Sequence, residues 1–419
     1  MKFYMAPLEG ITGYIYRNTL DRYFPGADRY YTPFIVPDQN HPLRSKELRD
    51  ILPENNQVKQ LIPQIMTNDA QRFKEAADAL LEYGYQEVNL NLGCPSGTVT
   101  ARKKGAGFLS VPDELDRFLD RIFSENKVRI SIKTRIGMSQ PEEAFRLMEI
   151  YNQYPMSELI IHPRTREEFY RGMPHLLLYG ELFAMSRMPI CYNGNLLTKQ
   201  DYELFRSRFP ETQYVMLGRG ALADPGLIGR LAAQEADRTT GSDVKNAPSA
   251  VTGRGLEAEG TTGSDVKSAP SAMTGRGQEA EGMTGSGAKN APSAVTGSGL
   301  EAEGMTESSA KSEAASPVLE LDDPRYRKQL HAFHNDLFAQ YREIFGEERN
   351  AVFHMKELWG YMFKNFEDCE KIAKKIRKAT KATEYLCEVD RLFRECEIRK
   401  TGPLERGLVE SQMDQNECC

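Results

Sequence analysis

Over the first 235 residues, short runs rich in β-branched and aromatic residues alternate with longer stretches whose apolar positions recur at helical spacing. Lys2–Ala6, Arg29–Thr32, Leu61–Ile65, Glu87–Leu92, Arg129–Lys133, Glu158–His162, Pro189–Asn193 and Tyr214–Leu217 read as eight strands. Between them the period predicts helices, among them 68–83, 112–125, 141–154 and 198–209. Asn68 and Thr198 suit N-caps, and Pro112 and Pro141 suit first-turn positions. Runs such as EVNLNL and ELIIH are apolar enough for strands covered by helices on their outer side. Eight βα units in this length have the rhythm of a (β/α)8 TIM barrel. Periodicity alone does not show closure, so a doubly wound sheet stays open as the alternative.

The pattern breaks after residue 235. TTGSDVKNAPSAVTGRGLEAEG at 239–260 recurs at 261–282 and 283–304, a period of 22 residues. The unit has almost nothing to bury and cannot offset its ordering entropy, so 236–316 reads as a disordered linker of tandem repeats rather than a solenoid. Helical period resumes at Pro317. Leu330, Phe333, Leu337, Tyr341 and Phe345 form one stripe ending at Gly346, a natural stop. Segments 349–365, 367–380 and 381–396 follow, so 317–398 is expected to be a small C-terminal helical bundle and 399–419 a flexible tail.

Composition narrows the class. The 419 residues are 40% hydrophobic and 27% charged, with no apolar run of the roughly 20 residues a membrane-spanning helix needs. The start, MKFYMAPLEG, breaks at Pro7 and Glu9 before a signal-peptide core develops. Seven scattered cysteines with no CxxC spacing argue for a reducing compartment and against a zinc site, and the Cys418-Cys419 end is not a CaaX box. A cytoplasmic monomer without metal is expected. The net charge of −6 leaves any nucleic-acid contact to local basic patches.

Barrel enzymes carry their sites at the C-terminal ends of the strands. Here those ends lead into Pro7-Leu8-Glu9-Gly10, Pro63-Gln64, Asn91-Leu92-Gly93-Cys94-Pro95-Ser96, Lys133-Thr134-Arg135, His162-Pro163-Arg164-Thr165, Asn193-Gly194-Asn195 and Gly218-Arg219-Gly220. The last two follow the seventh and eighth strands, where barrels commonly hold a phosphate on backbone N–H groups, and Arg219 adds charge. GRGALA also fits G-x-G-x-x-A, yet no further βαβ unit follows it, which argues against a dinucleotide site there. Cys94, in a Gly-Cys-Pro turn, is positioned to meet a ligand.

The segments MAPLEGITGYIYR, VNLNLGCPSGTVTARKKGAGFL, SIKTRIGM, IHPRTREEFYRG, YNGNLLT and MLGRGALADP resemble, in order and spacing, the motifs of the tRNA-dihydrouridine synthase family. The resemblance spans nearly all of 1–235; for 317–398 it is one of size and position only. It implies a flavin barrel in which Pro7, Leu8 and Glu9 line FMN. Gln64, Lys133 and His162 would contact its ring or ribityl chain, and Asn193, Gly194, Asn195, Gly218 and Arg219 its phosphate. Asn91, Arg135 and Arg164 would touch the target uracil. NADPH is the implied reductant and tRNA the partner. Hydride would pass to C6 and Cys94 would protonate C5 of a uridine flipped out of its stack. Leu8 stands where many relatives carry methionine, and the repeat is foreign to the family pattern.

Arg102-Lys103-Lys104 and seven basic residues between Lys364 and Lys381 are the candidate RNA contacts. Two other readings compete: an FMN barrel oxidoreductase acting on a small pyrimidine, and an RNA-binding protein with an inactive barrel. The latter sits poorly with the presence of Cys94, Lys133, His162 and Arg219 together.

Overall fold

The computed structural model describes residues 1–245, 318–403 and 408. Nine parallel strands form one sheet: β1 (Lys2–Met5), β2 (Arg29–Tyr31), β3 (Leu61–Ile62), β4 (Gln64–Ile65), β5 (Glu87–Leu92), β6 (Arg129–Gly137), β7 (Leu159–Thr165), β8 (Ile190–Tyr192) and β9 (Tyr214–Leu217). Their order is β3-β2-β1-β9-β8-β7-β6-β5-β4. The two ends of that order, β3 and β4, are halves of one strand parted only by Pro63, which has no N–H to give the ladder. The carbonyl of Pro63 still accepts the N–H of Asn89 at 2.8 Å. The sheet therefore closes on itself as an eight-stranded barrel, and the doubly wound alternative falls.

β5 and β9 have the expected bounds, and the helix Pro112–Glu125 starts on its proline. Thr198 caps the next helix, Lys199–Arg208, through a reciprocal box with Asp201. Three boundary expectations are corrected. The helix Ala70–Glu82 is capped by Asp69, whose carboxylate accepts from the N–H groups of Gln71 and Arg72, not by Asn68. Pro141 lies in a turn ahead of the helix Glu143–Tyr151. The helix Leu227–Lys245 runs ten residues past 235, into the span read as linker. The repeats from 246 to 304, the rest of that linker and most of the tail lie outside the described residues.

Inside the barrel, Tyr4, Tyr31, Ile160, Cys191 and Met216 pack as one cluster. At the N-terminal ends of the strands a polar plug closes it. Glu158 accepts from the hydroxyls of Tyr4 at 2.9 Å and Tyr31 at 3.4 Å, and Arg29 lies 3.7 Å from the same carboxylate. Burial, reinforced by Glu87, pushes the Glu158 carboxyl up to about 7 against the opposing pull of Arg29 and the two hydroxyls.

Helices Pro324–Phe345, Glu348–Met362, Glu370–Lys378 and Ala382–Glu395 form the C-terminal bundle, and Gly346 ends the first in the left-handed region at φ 68°. Its core centres on the hydroxyl of Tyr385, which takes the Trp359 Nε1–H at 2.8 Å and meets His334 Nε2 at 2.6 Å. The bundle lies against the first barrel helix, Tyr14–Tyr23. Phe333 packs edge-on against Tyr16 and Phe24, and Tyr326 Oη donates to Asp224 at 2.5 Å. Of the apolar stripe, Leu330, Phe333, Leu337 and Tyr341 are buried as expected, whereas Phe345 stays 39% exposed.

Candidate active site

At the C-terminal ends of the strands lies a cavity of about 280 Å³. Lining it are Pro7, Leu8, Glu9, Gln64, Asn91, Cys94, Lys133, Arg135, His162, Asn193, Gly194, Gly218 and Arg219, each singled out in the sequence. β5, β6 and β7 bring four of them together by register: Asn91 pairs with Lys133, and Arg135 with His162. Among the charged lining residues, three cations (Lys133, Arg135, Arg219) face one carboxylate, Glu9, which pairs outward with Lys46 at 3.3 Å.

A ladder of side-chain amides crosses the floor. Asn89 Nδ2 donates to Ser131 Oγ at 3.0 Å, Gln64 Nε2 to Asn89 Oδ1 at 2.8 Å, and Asn91 Nδ2 to Gln64 Oε1 at 2.7 Å. Asn91 Oδ1 then accepts the N–H groups of Gly93 and Cys94, each at 3.0 Å, which fixes the turn carrying the thiol. Arg135 braces the same turn, with Nε on the Gly93 carbonyl at 2.9 Å and Nη1 on the carbonyls of Thr165 and Phe169 at 2.8 Å. Asn91 and Arg135 thus line the cavity while their polar atoms largely hold the Cys94 turn. Burial pushes the Cys94 thiol above its ordinary value, against the backbone N–H of Ser96 and the charges of Arg135 and Lys133. It is a neutral thiol at pH 7.

The cations depress one another. Burial first, then Arg135, bring Lys133 down to about 8. His162 is held well below the usual histidine range by burial and by Arg135, Lys133, Arg164 and Arg219. It is therefore neutral, and since Arg164 Nη1 lies 2.9 Å from its Nε2 and can only donate, the ring proton belongs on Nδ1.

Two residues expected at the ligand, Arg164 and Asn195, do not line the cavity. Arg164 is fully buried behind the wall, spending its guanidinium on His162, the carbonyls of Arg171 and Gly172, and Asn195 Oδ1. Asn195 is also behind the wall, its oxygen bridging Arg164 at 3.1 Å and Arg219 Nη2 at 2.7 Å. Both shape Arg219 and His162 rather than reaching the cavity. The glycines have tighter reasons than anion approach. A Cβ on Gly194 would lie 2.0 Å from Tyr192 Oη, and one on Gly220 would lie 2.3 Å from the carbonyl of Leu196.

Sequence reasoning passed over Tyr170, Phe34 and Tyr361, all of which line the cavity. Tyr170 stands at the mouth, half exposed, with the Arg219 guanidinium 4.8 Å and that of Arg135 5.4 Å from its ring centre. Its loop is tied by His175, whose Nε2 meets Glu168 Oε1 at 2.7 Å. An aromatic beside paired arginines in REEFYRG was the available signal for Tyr170. Tyr361 comes from the bundle helix Glu348–Met362, a contact no local pattern announces.

The family model described as Dihydrouridine synthase (Dus) matches residues 4–252. The chain belongs to the dihydrouridine synthase family. The tRNA-dihydrouridine(16) synthase of Pseudomonas putida is 28% identical over 240 residues, 56% of this chain and 74% of that protein. The tRNA-dihydrouridine synthase B of Pasteurella multocida is 26% identical over 231 residues, 54% and 68% of the two chains. Among solved structures, morphinone reductase overlaps with a TM-score of 0.41 at 11% identity, over 56% of this chain and 86% of that one. The dihydrouridine synthase match covers the strands, apart from the first two residues of β1, and every lining residue except Tyr361. Among the described residues no helix is long and apolar enough to cross a membrane, and no cluster of acidic, histidine or cysteine side chains could hold a metal ion.

Proposed function

We propose that this protein is a tRNA-dihydrouridine synthase that reduces the C5–C6 bond of uridine in tRNA, with FMN as cofactor, NADPH as reductant and Cys94 as proton donor. The carrying observation is the shared cavity: a thiol kept neutral by burial, beside three cations set against one carboxylate. Such a cationic lining fits an anionic, electron-rich cofactor. Arg219, with Gly194 and Gly218, would hold its phosphate; Lys133, neutral His162 and Gln64 would contact the ring or ribityl chain, and Pro7, Leu8 and Glu9 would line it. FMN reduced by NADPH would supply a hydride for C6 of the uracil.

The residues of this chain do the rest. The Cys94 thiol gives its proton to C5, a task suited to a group still protonated at pH 7 and fixed through Asn91. Donation leaves a thiolate, which Arg135 and Lys133 stabilise before solvent returns the proton. Tyr170 offers an exposed ring at the mouth on which an extruded base can stack. Along the bundle, Lys371, Lys374, Lys375 and Lys378 would follow RNA phosphates.

Absorbance of the purified protein followed by NADPH oxidation with and without unmodified tRNA tests the reading. Flavin bands whose reoxidation accelerates with tRNA are expected. Flavin indifferent to tRNA would point to a small-molecule oxidoreductase, and a protein that cannot be reconstituted with FMN would refute both.

A further inference from the structure

We infer that the cleft between the barrel and the bundle, beside the catalytic mouth, is a second nucleoside site, holding an unpaired base of the RNA strand next to the base being reduced. The inference rests on the proposed tRNA substrate. The cleft has a volume of about 570 Å³ and shares Glu9, Ile11, Pro33 and Phe34 with the catalytic cavity, so the two are contiguous. A volume of this size is in the range of small-ligand sites.

Its bundle wall is aromatic. Tyr341 and His354 have ring centres 4.2 Å apart, Phe345 lies 5.4 Å from His354, and Phe345 stacks on Tyr341 at 5.8 Å and 10°. Ile344 and Phe345, 38% and 39% exposed, put apolar surface into this cleft at the end of a helix whose other large apolar positions are buried. Such a wall suits the face of a nucleobase, and stacking is indifferent to which base arrives.

The barrel wall carries both signs of charge. Arg44, Lys46 and Arg49 line it beside Glu9, Glu47 and Asp50, of which Asp50 is held by Arg17 at 3.0 Å and Glu47 accepts the N–H groups of Val36 and Arg44. Arg44 pairs with Asp38 at 3.2 Å and Lys46 with Glu9 at 3.3 Å, both in largely exposed geometry. Exposed pairs of this kind are weak, so a phosphate can take over either cation at little cost.

One helix face joins the cleft to the mouth. His354, Glu357 and Tyr361 follow one another at spacings of three and four, the first two lining the cleft and the third the catalytic cavity. A strand whose reacting base sits in the barrel is thereby led past Tyr361 into the cleft. On the adjoining face Phe353, 45% exposed, carries Lys356 at 4.7 Å and Arg349 at 5.5 Å from its ring centre. That continuation suits a long polyanion; a dinucleotide reductant would end inside the cleft.

The test uses the full chain loaded with flavin, carrying Phe345→Ala or Phe345→Trp. It reads affinity for an unmodified tRNA transcript, the anaerobic rate of flavin reduction by NADPH, and the melting temperature. Phe345→Ala is expected to weaken tRNA binding roughly 5- to 100-fold, the span of one lost base–aromatic stack. Phe345→Trp should restore binding, and flavin reduction should be unchanged in both. Slower flavin reduction with unaltered tRNA affinity would overturn the inference and give the cleft to the adenosine end of the reductant. No change in either would also overturn it. Should Phe345→Ala fail to fold, Ile344→Ala, on the same exposed lip, carries the same readouts. A chain that takes up no flavin yet binds tRNA through Phe345 would refute the reductase reading and keep this site.

Discussion

Lys133 is a stability liability held in place for a ligand, and replacing it separates the two roles. Its ammonium sits on the cavity wall with Arg135 near it, and no carboxylate pairs with it among the described residues; its pKa is brought from 10.5 down to about 8. A shift of that size is at most about 3.5 kcal/mol of differential interaction, at about 1.4 kcal/mol per pKa unit. Because the wall meets solvent, about 1–3 kcal/mol is the working range. Lys133→Met keeps the stem length and removes the charge. The cofactor-stripped variant should therefore melt higher than the stripped native protein at pH 7, by roughly 2–8 °C for a barrel of this size. The sign is fixed by linkage. Below pH 8 both folded and unfolded chains hold the proton and the folded state bears the penalty. Between about pH 8 and 10.5 the unfolded chain holds more protons than the folded one, so the stripped native protein gains stability as pH rises through that window. The difference between native and variant should shrink in step. Flavin affinity should move the other way, falling at least tenfold in Lys133→Met. Thermal unfolding of stripped and reconstituted protein from pH 6.5 to 10 is the assay. A stripped Lys133→Met that melts lower at pH 7, with no convergence at high pH, would show that the lysine is a structural pair and refute the reasoning.

Three further outcomes are expected. Cys94→Ala should keep its flavin and its NADPH-driven reduction but lose about 10²–10⁴ in uridine reduction; in the native protein that step should hold through neutral pH and fall as pH rises through the elevated thiol pKa, which single-turnover rates against pH would reveal. Asn91→Ala removes the acceptor for two N–H groups and leaves Gln64 Oε1 without its donor, so it should cost about 2–4 kcal/mol and slow proton donation. Asn91→Asp, which can still accept both N–H groups, should recover most of the rate; equal losses in the two variants would mean that the amide acts on substrate instead. Charge reversal at Lys374, Lys375 and Lys378 should weaken tRNA binding and flatten its dependence on salt, and an unaltered slope in filter binding would remove the bundle from the RNA path.

The barrel was legible where burial and sequence pattern coincide. Val88, Leu90 and Leu92 alternate along Glu87–Leu92, and Tyr214–Leu217 is a short apolar run; both strands are largely buried, and their bounds are visible in the residues alone. The pattern gave out where polar groups are buried for the site. The strand Arg129–Gly137 continues beyond Lys133 through Thr134 and Arg135, and Leu159–Thr165 continues through Arg164, because these side chains find partners inside that no hydropathy pattern records. Pro63 splits a strand that reads as one, since a missing N–H interrupts pairing without ending the extended path. Most of the site was legible as strand ends. Arg164 and Asn195 do not line the cavity, because sequence gives adjacency to a mouth, not which side of its wall a side chain takes. Tyr361 and the aromatic wall of the cleft depend on packing the bundle against the barrel, which only tertiary structure supplies.

Two kinds of buried polar group meet at this mouth, and they divide the work. The ladder Ser131–Asn89–Gln64–Asn91 is neutral, and each member is partnered within 3.0 Å. It can stay rigid at no electrostatic cost, which is what a proton donor placed through Asn91 requires. Lys133, Arg135, His162, Arg164 and Arg219 are the opposite: like-signed or titratable groups whose mutual repulsion adds to burial in depressing Lys133 and His162. A fold selected for stability alone would dilute such a cluster or pair it with acids, since each cation destabilises its neighbours. Its presence at these strand ends, with Arg164 and Asn195 spent on aiming the others, is the expected signature of a field suited to an anion. The same logic places the proposed proton donor on the neutral side of the divide: Cys94 hangs from the amide ladder, and the cations would bear on it only as a thiolate.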